Sequence, residues 1–493
     1  MSQGWSRTSL RLLGALAAVA LLVSSSEVLT AAADGPVDTT VPRAECGPGS
    51  APETGLQGQV PLADRQSGRS SQAPYQCNLE LLGQFQGQGQ ATVGASYGHC
   101  QYLGTIVTGS PRAERPGVNV VDFSDPAQPE LTDSLVSPAT VGGTWETLKV
   151  NEERGLLAAV STGILTGGVF FSVYDVKTDC AHPRLLNSVA GTQLTLPMPT
   201  PGHEGGWAPD GRTYYATGAV GGTIAAIDVA DPASPSVVFV GTTGLSNHGF
   251  GVSADGNRLY VASALPAGIT TFDASDVQRR KPFPLLRRIS DISWQDGLIT
   301  QHAIPFTDGG RPYLVVADEF GSGGVRIIDI SDERAPKTVR QLKLEINRPE
   351  NTALRAEDTA RNGIFGYEAH YCTIDRPADP TALACGWVQS GIRVFDIREP
   401  DRPREIAYFN PPGQVGQNAR LVNSAHATVP VGATVSDISN GNVGNPPLNL
   451  GPTDLTADWC MSPPRFVGEQ LWVSCDDNGA LALQFTNDAY PLR

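Results

Sequence analysis

Apolar and polar positions alternate along this chain in short runs, and one run keeps returning. Its forms are VNVVDFSDPAQP, FSVYDVKTDCAHP, IAAIDVADPASP, ITTFDASDVQRRKP, VRIIDISDERAP and IRVFDIREPDRP. Each leads into an acidic marker: Asp122, Asp175, Asp228, Asp273, Asp329 and Asp396, spaced by 53, 53, 45, 56 and 67 residues. A seventh, weaker copy, ALALQFTND, puts Gln484 at the marker, and Gly117, Gly268, Gly324, Gly391 and Gly479 stand five residues ahead of theirs. Three further strands fill each interval. In the fourth unit HGFGVSADG runs into a turn, NRLYVASA and GITTFDAS follow, and PFPLLRRIS ends the unit. Alternating β-branched and aromatic residues closed by Asp-Gly are hairpin chemistry. A four-stranded unit returning at this period predicts the blades of a β-propeller. The expected class is all-β, with seven four-stranded blades.

Closure of the ring is also written in the pattern. The last unit stops at Arg493 after its third strand, whereas CNLELLGQFQG (Cys77–Gly87) reads as an orphan fourth strand. The N-terminal strand is therefore expected to complete the last blade, removing exposed edges. The marker Asp, followed by Ser-Asp and then Pro in several copies, predicts a turn in which the carboxylate caps backbone N–H groups.

Composition supports this and bounds the partners. With 54 Gly and 38 Pro the chain cannot be a helical bundle, and 40% hydrophobic residues suffice for a large core. A net charge of −15 argues against nucleic acid, which demands a basic surface. Residues 1–33 carry Arg7, Arg11, the apolar run Leu12–Val23 and Ala31-Ala32-Ala33, the signature of a signal peptide. The run is too short to span a membrane, and cleavage after it leaves a charge of −16. Residues 34–76 read as a flexible segment and 77–493 as the propeller, with insertions near 345–363 and 410–458. A secreted monomer without a membrane span is expected, its partner an extracellular ligand or protein. Eight cysteines then predict four disulfides. Cys372 with Cys385, and Cys460 with Cys475, flank hairpin-like stretches; the pairing of Cys46, Cys77, Cys100 and Cys180 stays open.

The candidate chemistry lies in the histidines. Five of the seven, His99, His203, His248, His302 and His370, fall 23, 25, 25, 27 and 26 residues before their markers. That is the start of a first strand, which in a propeller lines the channel, so the rings are expected at one mouth. The second unit offers Glu146 or Trp145 there, and the seventh Asp458, Trp459 or Cys460. Two readings stand. Each imidazole bonds a turn or a neighbouring blade, or several of them with Glu146 hold a metal ion; a His-rich set without thiolate suits copper or zinc. His426 falls in the second insertion and His182 in a surface link, while Asp318, Glu319, Asp476 and Asp477 follow second strands and share the histidine face. No HExxH, P-loop or CxxCH motif occurs.

IIDISDERAP, AIDVADPASP and VVDFSDPAQP resemble the LVIVD repeat of secreted bacterial proteins, and HGFGVSADGNRLYVAS resembles the YVTN-type propeller repeat. The resemblance covers roughly residues 78–490 and implies the fold; function is not fixed by it. More loosely, the histidine ring is similar to that of methanethiol oxidase and its selenium-binding relatives, which implies a copper centre. The expectation is a binding or interaction protein using its loop-rich face and channel mouth. The alternative is a metal-dependent, copper-type oxidoreductase.

Overall fold

A computed structural model describes residues 40–492, apart from 107–108, 163–167, 188–195, 199–201, 219–221, 245–246, 360–361, 363–364, 418 and 429–456. Seven antiparallel sheets stand in a ring, and the blades are four-stranded as the repeat predicts. Blades 1 to 6 span 95–135, 149–185, 204–242, 247–294, 297–342 and 372–410. Blade 7 takes three strands from 465–485, and Leu79–Phe85 pairs antiparallel with Gly479–Phe485 to supply the fourth. The ring closes as the orphan strand implied. The approach is tight: at Gly479, with φ of +69°, a Cβ would lie 2.3 Å from the Phe85 carbonyl oxygen.

Both faces of each blade are buried, which explains middle strands as uniformly apolar as Leu156–Val160. The core is accordingly divided into interblade layers. Leu156, Ala158 and Phe171 meet Tyr214 and Ala216 between blades 2 and 3, and Leu103, Val121 and Phe123 meet Trp472 and Ala480 between blades 1 and 7. The marker aspartates do the turn work expected of them. Asp122, Asp175, Asp228, Asp273, Asp329 and Asp396 each accept a hydrogen bond from the backbone N–H two residues on, at 2.7–3.1 Å.

Four disulfides form. Cys372–Cys385 joins directly opposed residues of two strands, and Cys460–Cys475 staples the start of blade 7 to its second strand. The unassigned four pair as Cys46–Cys77 and Cys100–Cys180, the second linking blades 1 and 2. No described helix is long and apolar enough to cross a membrane. The expected signal peptide and most of the second insertion lie outside the described residues.

One expectation is corrected. Residues 40–76 are not a loose tether but part of the body. Tyr75–Cys77 adds a fifth strand to blade 6, and Val41 N–H bonds Lys343 O at 3.0 Å. The fully buried Arg393 guanidinium reaches across to Glu53 as well as to Glu405. The polar, Gly-rich composition of the segment conceals that its few apolar and acidic residues have partners in blades 5 and 6.

Candidate metal centre

The inner strands begin at one face of the ring, and their lead-in residues meet there. His203 immediately precedes the first strand of blade 3, Glu204–Trp207, and His248 is the second residue of Asn247–Val252 in blade 4. His370 stands two residues ahead of Cys372–Ile374 in blade 6, and Glu146 three ahead of Lys149–Asn151 in blade 2. Backbone bonds fix these lead-ins. Glu146 N–H donates to His203 O at 3.2 Å, His203 N–H to Thr217 O at 2.7 Å and His370 N–H to Gly386 O at 2.9 Å. The Thr147 hydroxyl donates to Thr144 O at 2.7 Å, holding the turn that carries Glu146.

A fifth group, Glu319, comes from the second strand of blade 5, Arg311–Gly321. Its Oε2 lies 2.9 Å from His248 Nε2, which lies 2.7 Å from His203 Nε2. Glu146 Oε2 is 3.6 Å from His203 Nε2, and Glu146 Oε1 is 3.3 Å from His370 Nε2. Glu146 and His370 are wholly buried, yet neither Glu146 oxygen and not His370 Nε2 has an aligned hydrogen-bond partner. The side chains of His203, His248 and Glu319 keep 16%, 9% and 8% exposure, so the pocket opens along that side.

Neighbouring blades orient the rings. His248 Nδ1 lies 3.2 Å from the Gln301 carbonyl of blade 5, and His370 Nδ1 lies 2.9 Å from the Met461 carbonyl ahead of blade 7. A carbonyl only accepts, so each Nδ1 carries its proton and each Nε2 is turned to the pocket. The two readings of the histidine slot thus coincide in one ring: one nitrogen bonds the next blade and the other faces inward. Beneath His248, Gly249 leaves room for a carboxylate, since a Cβ there would lie 1.4 Å from Glu204 Oε2.

Burial opposes charge on every one of these groups, and the outcome depends on neighbours. His203 is pushed down to about 4 by burial and by His248. For His248 burial is outweighed by Glu319 and Glu146, which raise it to about 9. His370 is likewise raised to about 10 by the same carboxylates against its burial. Glu146 and Glu319 are both held below the usual carboxylate range, against burial, by the facing imidazoles. Deeper in the channel burial raises Glu204 to about 8 and lowers Lys149.

No family model matches this chain, and no curated protein does. Among solved structures, a candidate 6-phosphogluconolactonase from Bacteroides uniformis is 13% identical, with a TM-score of 0.49, over 79% of this chain and 94% of that one. The periplasmic gluconolactonase of Pseudomonas aeruginosa is 16% identical over 50% of this chain and 69% of its own, with a TM-score of 0.38. These are distant likenesses. Identities this low carry no residue-by-residue correspondence to the pocket.

Of the six residues expected to converge, His203, His248, His370 and Glu146 do so and two do not. His99 sits in the turn between the strands Ala95–Tyr97 and Cys100–Leu103, half exposed, with Nε2 3.7 Å from Asp122. The long link between the second and third strands of blade 1 makes up the spacing, so the count lands on the far end of the first strand. His302 lies inside the long strand Gly297–Asp308, five residues past its start. Its ring stacks on Tyr371 at 4.4 Å, and Nε2 accepts from Cys372 N–H at 3.4 Å. Burial, then Lys149, pushes its pKa well down. Glu319, which the sequence places after a second strand on the histidine face as either a metal ligand or a rim acid, supplies the blade 5 donor instead.

His426 joins a second cluster. Its Nδ1 lies 2.8 Å from Asp477 Oδ2 and its Nε2 3.2 Å from Asn362 O, with the ring stacked on Trp459. Asp477 Oδ1 accepts from Ser424 Oγ at 2.6 Å. Asp458 accepts from the backbone of Trp459, Asp477 and Asn478 and from Asn478 Nδ2, at 2.7–3.0 Å. Asp318 is taken up by Trp294, Thr300 and Arg326.

Proposed function

We propose that this protein is a metal-binding β-propeller that holds a divalent first-row ion in its channel mouth through His203, His248, His370, Glu146 and Glu319. The observation that carries the reading is Glu146. A fully buried carboxylate without an aligned hydrogen-bond donor is costly, and an ion facing it and three imidazoles removes that cost. Imidazoles suit copper and zinc, and the two carboxylates widen the set to iron(II) and manganese(II). The ion would act as a Lewis acid toward a ligand entering at the channel mouth, which joins the metal to a binding role for this face. The four disulfides and the signal-like residues 1–33 support residence in an oxidising, extracytoplasmic compartment.

The test is elemental analysis of full-length protein purified under oxidising conditions, before and after reloading with zinc, copper, iron(II) or manganese. At least one ion per chain is expected, lost in the His203→Ala, His248→Ala double variant. Trace metal at every stage, or metal content unchanged in the double variant, overturns the reading.

A further inference from the structure

We infer that the centre takes two ions, bridged by Glu146 and Glu319; this rests on the metal reading above and concerns how many ions the same pocket holds. The decisive feature is how each carboxylate divides its oxygens. Glu146 turns Oε2 toward His203 Nε2, at 3.6 Å, while Oε1 faces His370 Nε2 at 3.3 Å. Glu319 divides in the same sense, with Oε2 at 2.9 Å from His248 and Oε1 at 3.8 Å from His370. One end of the pocket therefore collects the Nε2 atoms of His203 and His248 and one oxygen from each glutamate. The other end collects His370 Nε2 and the two remaining oxygens. The donors accordingly fall into two triads that share Glu146, Glu146–His203–His248 and Glu146–Glu319–His370, each with ligating atoms within 4.8 Å of one another.

A carboxylate whose oxygens face different imidazoles is placed to bridge ions at the roughly 3.5–4 Å spacing of two-metal sites. The ends also differ. Four protein donors close the shell of a tetrahedral ion, whereas three leave a position for an exchangeable ligand. The His203–His248 triad gains Glu319 Oε2, 2.9 Å from His248 Nε2, as a fourth donor, whereas the His370 end has three. The two ions therefore have unequal duties: one is held by protein alone and the other is able to take a water or a small anion.

The experiment uses the full chain, stripped with a chelator and reloaded with cobalt(II), whose spin reports coupling between ions. Two cobalt ions per chain with a magnetically coupled spectrum are expected. His370→Ala is expected to keep one cobalt with an uncoupled signal, and Glu319→Gln, at the more exposed side, to lose the coupling as well. Circular dichroism establishes that each variant is folded. Azide is expected to alter the spectrum of the doubly loaded protein and not that of His370→Ala; an identical response in both removes the open position from the His370 end. One uncoupled cobalt per chain in the unaltered protein overturns the two-ion proposal and leaves the metal reading standing. No bound cobalt overturns both.

Discussion

Two acid–histidine clusters lie near the same end of the channel, and they differ in what their polar atoms have to do. Around Asp458 and Asp477 the buried oxygens are supplied by backbone N–H groups, Asn478 and Ser424, and both nitrogens of His426 face oxygens. Around Glu146 no backbone donor reaches the carboxylate, and two of the three imidazoles, His248 and His370, present nitrogen atoms already oriented by carbonyls behind them. Both places combine buried carboxylates with imidazole. The first cluster is a fastener, tying the residues around His426 to blade 7; the second has its donors aimed at a common space. Metal-ligating capacity is read from the hydrogen bonds that are missing, not from the count of carboxylates and imidazoles.

The largest expected effect separates the clusters directly. Glu146→Ala should weaken metal binding at least about 100-fold, beyond what is usual for a residue that only orients ligands, measured by competition with a chromophoric chelator. Asp477→Ala should leave that affinity within a small factor. It should instead cost roughly 2–4 kcal/mol in urea unfolding, because His426 and Ser424 lose a buried charged partner. If Asp477→Ala strips the metal as fully as Glu146→Ala, the distinction between the clusters collapses.

Loading the site should come next in size. At a free-ion concentration about 100 times the dissociation constant, binding stabilises the native state by about 2.7 kcal/mol, seen by calorimetry as a rise in Tm that chelator reverses. Glu146→Ala should abolish the rise and Asp477→Ala should preserve it. His302→Ala should cost about 1–3 kcal/mol through the lost Tyr371 stack while retaining metal, since this ring belongs to the packing of the channel wall. His99→Ala should be the smallest, within about 0.5 kcal/mol and without effect on metal content, as befits an exposed turn residue. Metal loss in His99→Ala would mean that the sequence spacing had outranked the geometry.

What could be read from the sequence was whatever the repeat imposes on every blade. The marker aspartates, the closing strand Leu79–Phe85 and the two hairpin-like disulfides each follow from a local pattern. The centre was legible only where a blade keeps the average strand length. His203, His248 and His370 lie within two residues of the start of an inner strand. In blade 5 the inner strand begins five residues earlier, which carries His302 down the channel and leaves the mouth to Glu319 from the adjacent strand. No spacing rule anchored on first strands finds a donor that arrives on a second. The docking of residues 40–76 was hidden for a related reason: Glu53 becomes meaningful only once Arg393, 340 positions away, is seen to be buried beside it.

The strand that closes the ring has a consequence for how the molecule is made. Leu79–Phe85 is made 400 positions ahead of its partner Gly479–Phe485. At about 5–20 residues per second the wait is on the order of 20–80 s. During that interval the six earlier blades can stack on one another while the first finished strand has no partner and blade 7 does not exist. Until that partner is made the chain is an arc with two open rims, and the ring closes only once Gly479–Phe485 has followed.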